Sequence, residues 1–145
     1  MLVGRDELQP SSRGVYLVPV AELTRKELVL ALVSASANPR LMGLDLSELD
    51  MSGLALHRAN LARANLSHAN LIMATLIGAN LEGANLSGAN LTRADLEGAY
   101  LRGANLSGAI LTDAILTEAD LTDVNLEGAD LTRVGLERVK GYNPA

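Results

Sequence analysis

Residues 84–108 read ANLSG-ANLTR-ADLEG-AYLRG-ANLSG, five successive groups of five with Ala in the first place and Leu in the third. Taking each such Leu as a centre and stepping by five reaches from Leu46 to Leu136 without a break, giving nineteen centres of which eighteen are Leu. The exception is Met51. Two residues before the centre, Ala stands at every position from Ala59 to Ala119. Leu44, Leu49 and Leu54 precede that run, and mostly Val follows it. Composition alone does not hold one register for so long. A period of five matches neither the 3.6-residue turn of a helix nor the two-residue alternation of a strand. It suits a chain that turns a corner every five residues and sends the same two positions inward each time.

The A-N-L-S-G groups at 84–88 and 104–108 resemble the pentapeptide-repeat family, and the resemblance covers about two thirds of the chain. It implies an all-β solenoid, a right-handed quadrilateral β-helix with four pentapeptides per coil. The centre and the small residue before it then stack inside. Leu46, Met51, Leu66, Leu86, Leu106 and Leu126, with Ala64, Ala84 and Ala104, are the expected core. Ala is needed at the second inner position because two large side chains per edge would overfill the interior. Nineteen repeats make about five coils, roughly 24 Å tall at the ~4.8 Å spacing of paired strands.

Composition agrees with a narrow, regular interior. Of 145 residues, 48% are hydrophobic, yet Phe and Trp are absent and Tyr16, Tyr100 and Tyr142 are the only aromatic residues. An irregular core uses aromatic residues to fill its gaps; a core of Leu and Ala does not need them. With no Cys, disulfides and thiolate metal sites are excluded. A formal charge of −5 argues against direct nucleic-acid binding and against an anionic membrane surface. The opening residues lack the basic start and apolar stretch of a secretory signal. The longest strongly apolar run, Leu28 to Val33, is far short of the ~20 residues that span a bilayer. The expectation is a soluble, cytoplasmic protein.

Three regions follow: an N-terminal segment over 1–43, the repeats over 44–140 and a tail over 141–145. In the first, Thr24 and Glu27 have capping-box spacing, with Leu23 and Leu28 placed as a hydrophobic staple. A short α-helix over about 25–35, ending before Asn38-Pro39, is expected to cap the first coil. Leu44, Leu49 and Leu54 would widen the apolar floor beneath it. Nothing comparable stands at the other end, which makes that end a candidate homodimer contact, since exposed strand edges invite association. The last residue of many repeats is Gly, as a turn with positive φ at its third position favours. Where Arg, His, Met, Asp or Glu stands there instead, another turn type is expected.

Catalysis needs different residue types converging in a pocket, and this interior is Leu and Ala. His57 and His68 fall on different sides under four-fold coiling, and neither has a second ligand beside it. No catalytic, metal or cofactor site is expected, and the chain does not read as an enzyme. The Asn and Asp before each centre suit corners that need a short polar side chain bonded to the backbone. Asp45, Asn65, Asn85, Asn105 and Asn125 form one column, able to hydrogen-bond rung to rung. Thr92, Thr112 and Thr132 form another, but Arg93, Asp113 and Arg133 flank it, which is unlike a flat ice-binding face.

Function is therefore sought where the pattern lapses. Ile110 and Ile115 replace Asn or Asp at outward positions, Tyr100 holds the same kind of slot, and Ile72, Met73 and Ile77 also point outward. Exposed apolar clusters mark contact sites. Asp113, Glu118, Asp120, Asp123, Glu127 and Asp130 occur with no Lys or Arg between Arg102 and Arg133, a candidate acidic girdle. The first expectation is a non-catalytic interaction or scaffold module whose partner is another protein. The alternative comes from the resemblance: some members of the family bind DNA gyrase by imitating duplex DNA. Against that, such members use larger centres such as Phe, carry a C-terminal dimerising helix and form longer rods.

Overall fold

The computed structural model describes residues 38–144 together with Thr24 and Glu27. Each residue before a centre forms a parallel bridge with the residue twenty positions on, from Arg40 with Asn60 to Asp120 with Lys140. Four pentapeptides thus complete one circuit, and the chain between 40 and 139 makes five coils. Each side of the solenoid is a column of bridged residues. Side one carries Arg40, Asn60, Asn80, Tyr100, Asp120 and Lys140; side two, Asp45, Asn65, Asn85, Asn105 and Asn125. Side three carries Asp50, Asn70, Asn90, Ile110 and Asp130; side four, Ala55, Thr75, Asp95, Ile115 and Gly135.

Successive coils are joined through the backbone. The Leu46 N–H donates to the Asn65 carbonyl at 2.7 Å, and the Asn65 N–H donates back to the Leu44 carbonyl at 2.8 Å. Corners close within the repeat, as where the Ala84 N–H donates to the Leu81 carbonyl at 3.0 Å. The last residue of every repeat has positive φ whether or not it is Gly: Gly88 has φ 65°, Arg63 57°, Met73 54° and Glu118 62°. The corners expected to use a second turn type therefore do not. All share the positive third-position φ of a type II turn, because bridging to a neighbouring coil fixes the path. Asp, Glu, Arg, His and Met accept a left-handed conformation there at a local cost.

Inside, the centres and the small residues stack into one core. Leu46, Met51, Leu66, Leu86 and Leu106 are fully buried, with Ala64, Ala84 and Ala104 beside them. No polar or charged residue is buried among the described residues. Leu126 departs from expectation: in the last coil it is only half-buried, as are Leu131 and Leu136.

The repeats begin earlier than position 44. Arg40 already bridges Asn60, Leu41 is a buried centre, and buried Pro39 occupies the small inner slot. Its carbonyl accepts the Asn60 N–H at 2.8 Å. Proline disguised this repeat, being at once a helix stop and a residue that fits an inner slot needing only its carbonyl. Upstream, the capping box is formed. Thr24 N–H donates to the Glu27 carboxylate at 2.7 Å, and Glu27 N–H donates to Thr24 Oγ1 at 3.3 Å. The remainder of the helix expected over 25–35 lies outside the described residues, as does its contact with the first coil.

Candidate functional site

With the interior filled, whatever the protein recognises is recognised on its outside. Two classes of side chain decorate it: those that serve the corners, and those that depart from the repeat.

The corner class is most regular on side two. Asn65 Nδ2 donates to Asp45 Oδ1 at 3.0 Å, Asn85 Nδ2 to Asn65 Oδ1 at 3.3 Å and Asn105 Nδ2 to Asn85 Oδ1 at 3.5 Å. The same oxygens accept backbone N–H groups two residues on, as from Ser67 to Asn65 and Ser87 to Asn85. Short amide side chains recur because they brace the turn and the next rung together. Their polar atoms are occupied by that task.

The apolar departures form separate spots. Met73, Tyr100, Ile110 and Ile115 are 58%, 54%, 40% and 43% exposed, while Ile72 and Ile77 are half-buried. Ile72, Met73 and Ile77 lie around side four, at its two corners in the second coil. Ile110 and Ile115 sit on sides three and four, two coils higher. The intervening rung is polar: Asn90 lies below Ile110, Asp95 below Ile115, and Arg93 above Met73. Tyr100 stands on side one. Met42, 60% exposed, belongs to the same class and lies in the repeat that Pro39 disguises.

The acidic residues are distributed differently from their sequence order. The twenty-residue register sets Arg133 over Asp113, Arg138 over Glu118 and Lys140 over Asp120. Arg133 Nε approaches Asp113 Oδ1 at 2.6 Å and its Nη2 reaches Oδ2 at 2.9 Å, a two-pronged pair. Arg138 pairs with Glu118 at 2.7 Å. Hydrogen bonding to Arg133 holds the Asp113 carboxyl below its ordinary pKa. Bonds from Thr122 to Asp120, and from Thr132 to Asp130, lower those carboxyls too. Half of the girdle thus has a cation on the next coil, leaving Asp123, Glu127 and Asp130 as its open part.

His57 and His68 are exposed on different corners. Among the described residues no group of three or more His, Asp or Glu is placed to hold a metal ion. No helix among them is long and apolar enough to cross a membrane.

The profile of a family described as pentapeptide repeats matches residues 40–72, 69–108 and 99–138, with eight copies. A pentapeptide repeat protein from the Arabidopsis thaliana thylakoid lumen is 37% identical, with a TM-score of 0.63 over 65% of this chain and 66% of that one. Rfr23, a pentapeptide repeat protein from the cyanobacterium Cyanothece 51142, is 38% identical, with a TM-score of 0.58 over 67% of this chain and 63% of that one. The chain thus spans just under two thirds of the length of these two relatives. A trypsin-treated form of QnrB1, a plasmid-mediated fluoroquinolone resistance protein, is 23% identical with a TM-score of 0.25, over 66% of this chain and 57% of that one. That likeness is too slight to bear on function. No curated protein is significantly similar to the chain.

Proposed function

The chain belongs to the pentapeptide-repeat family, and from that premise we propose that it is a non-catalytic, rigid module that presents a fixed outer face to another protein. The observation that carries this reading is the exposure of Ile110 and Ile115, 40% and 43%, on neighbouring sides of one coil where the repeat places Asn or Asp. The exposed part of each isoleucine gains nothing for the solenoid. Covered by a partner, each would bury apolar area on a backbone that loses no entropy in binding, because its corners are already fixed. Nothing in a Leu and Ala interior supplies a reacting group, which supports a binding rather than a chemical role.

The test is quantitative affinity capture with wild type and with the Ile110→Asp, Ile115→Asp double variant. A partner set retained by the first and lost by the second is expected. Equal recovery by both would sink the assignment of this face. Partly exposed Leu126, Leu131 and Leu136 support a second contact, between copies of the chain at the last coil. DNA imitation draws less support, because Arg133, Arg138 and Lys140 interrupt the acidic surface where it is densest. Inhibition or quinolone protection of DNA gyrase by micromolar protein in a supercoiling assay would revive it.

A further inference from the structure

An open groove of about 690 Å³ runs along the corner between sides one and two. Its floor is bare because Ala62, Gly83 and Gly103 put little or nothing there. A Cβ added at Gly103 would meet nothing within 4 Å, and at Gly83 it would meet only the Arg63 stem, at 3.6 Å. Its charged lining residues climb the axis one per coil: Arg63 on the second, Glu82 on the third, Arg102 on the fourth and Asp123 on the fifth. Signs alternate at the ~4.8 Å step of the coils. All four side chains are exposed. Among the described residues none of the four belongs to an ion pair, unlike Asp113 and Glu118. Arg102 is near enough to Asp120 to help lower its pKa without pairing to it.

A plus-minus-plus-minus row read backwards is its own complement. We propose that this groove is an isologous contact between two antiparallel copies of the chain, related by a two-fold axis midway between the Glu82 and Arg102 rungs. Arg63 then meets the partner's Asp123, Glu82 the partner's Arg102, and the two remaining pairs follow by symmetry, as a two-fold interface requires. Glu82 and Arg102 share one turn position, and Arg63 and Asp123 share the next. Each pair therefore joins residues at the same turn position, which a two-fold axis perpendicular to the solenoid sets opposite each other without lateral offset. The bare floors at Gly83 and Gly103 give the partner's guanidinium groups room to reach their carboxylates. Met42, 60% exposed at the far end of the groove, falls one rung beyond the partner's Asp123, opposite the tail that follows the partner's last coil. A parallel arrangement of two copies would set like charges together at every rung. This proposal is independent of the Ile110 and Ile115 face.

The test is sedimentation velocity on the full chain across a concentration series, at about 0.01 M and about 1 M salt, where the screening length falls from roughly 30 to 3 Å. The expected result is a dimer whose dissociation constant rises with salt. Glu82→Arg alone, or Arg102→Glu alone, turns two attractive contacts into repulsive ones and should raise that constant on the order of tenfold or more. The double swap Glu82→Arg, Arg102→Glu restores opposition at the same rungs and should recover the dimer. That recovery also excludes misfolding as the cause of the single-variant losses. A monomer at every concentration, or single variants that dimerise like wild type, overturns the proposal. So does a double swap that stays monomeric. A dimer indifferent to both charge reversals but lost on Leu131→Asp would place the contact at the last coil and equally refute the groove.

Discussion

The first and last coils are written in the same repeat and finish differently. Leu46, Met51 and Leu56 in the first are fully buried, whereas Leu126, Leu131 and Leu136 in the last are half-buried. Among the described residues, the two coils also differ in the inner slot before the centre. The first has Leu44, Leu49 and Leu54 there, all packed on the core; the last has Val124, Ala129, Val134 and Val139. In the middle of the stack a small residue suffices, because the coils above and below fill the remaining space. At an end the described residues supply only one of those neighbouring coils, and a larger inner residue takes up part of the remaining volume. The repeat thus encodes its own interior, while an end needs a departure from it.

The two ends are distinguished most directly by truncating the centres. Leu46→Ala should cost ~2–5 kcal/mol, as for other fully buried leucines. Leu126→Ala should cost less, about 2 kcal/mol, since the side chain is already partly exposed. Denaturant midpoints followed by circular dichroism measure both, and equal losses would mean that the ends are not distinguished by burial. The inner slots come next. Leu54, 8% exposed, should lose about 2 kcal/mol on truncation to Ala. The reverse change, Val134→Leu, should gain up to about 0.8 kcal/mol for its added methylene. A loss on Val134→Leu would show that the last coil is already tightly filled.

Corners distinguish the ends on a smaller scale. Glu48 in the first coil has φ 60° and Arg138 in the last has φ 56°. Glycine relieves the left-handed strain, worth ~1–2 kcal/mol, but returns part of the gain as chain entropy. Glu48→Gly should therefore raise the melting temperature slightly. Arg138→Gly also removes the ion pair to Glu118, and exposed pairs of this kind are worth ~0.2–1 kcal/mol. Its net effect should be close to zero. A larger gain at Arg138 than at Glu48 would overturn this assignment.

The interior was legible in the sequence because each inward position interacts with copies of itself, so the period alone names the contacts. Leu66, Leu86 and Ala84 could be placed without coordinates for that reason. Outside, partners come from the neighbouring coil, and linear order misleads. Asp113 and Glu118 look unopposed until the twenty-residue register brings Arg133 and Arg138 above them. The same register was needed to see that Arg63, Glu82, Arg102 and Asp123 share a groove, since no sequence window contains all four as neighbours. Corner geometry is hidden from the sequence for a different reason. Local preference assigns positive φ to Gly, but at Arg63 and Met73 the bridges on both sides impose it.

Acid should act unevenly on the two ends. Asp45 in the first coil is held below its ordinary pKa of 3.8, chiefly by the Ser47 hydroxyl and then by the Ser47 N–H. At the other end Asp120 and Asp130 are lowered by Thr122 and Thr132, and Asp113 is lowered by its bond to Arg133 of the last coil. In each case folding favours the ionised form. The resulting stability is present above the ordinary value and is lost as pH falls through it towards the lowered one. These groups are open to solvent, so the total effect is small; of these four, three tie down the C-terminal end, while Asp50 in the first coil accepts the Ser52 hydroxyl and N–H as Asp45 accepts those of Ser47. Melting temperature should therefore fall between about pH 5 and pH 2.5, with the Asp120→Asn, Asp130→Asn double variant flattening the slope more than Asp45→Asn does. Equal flattening by the two, or a melting temperature that rises on acidification, would show that these carboxylates do not distinguish the ends of the stack.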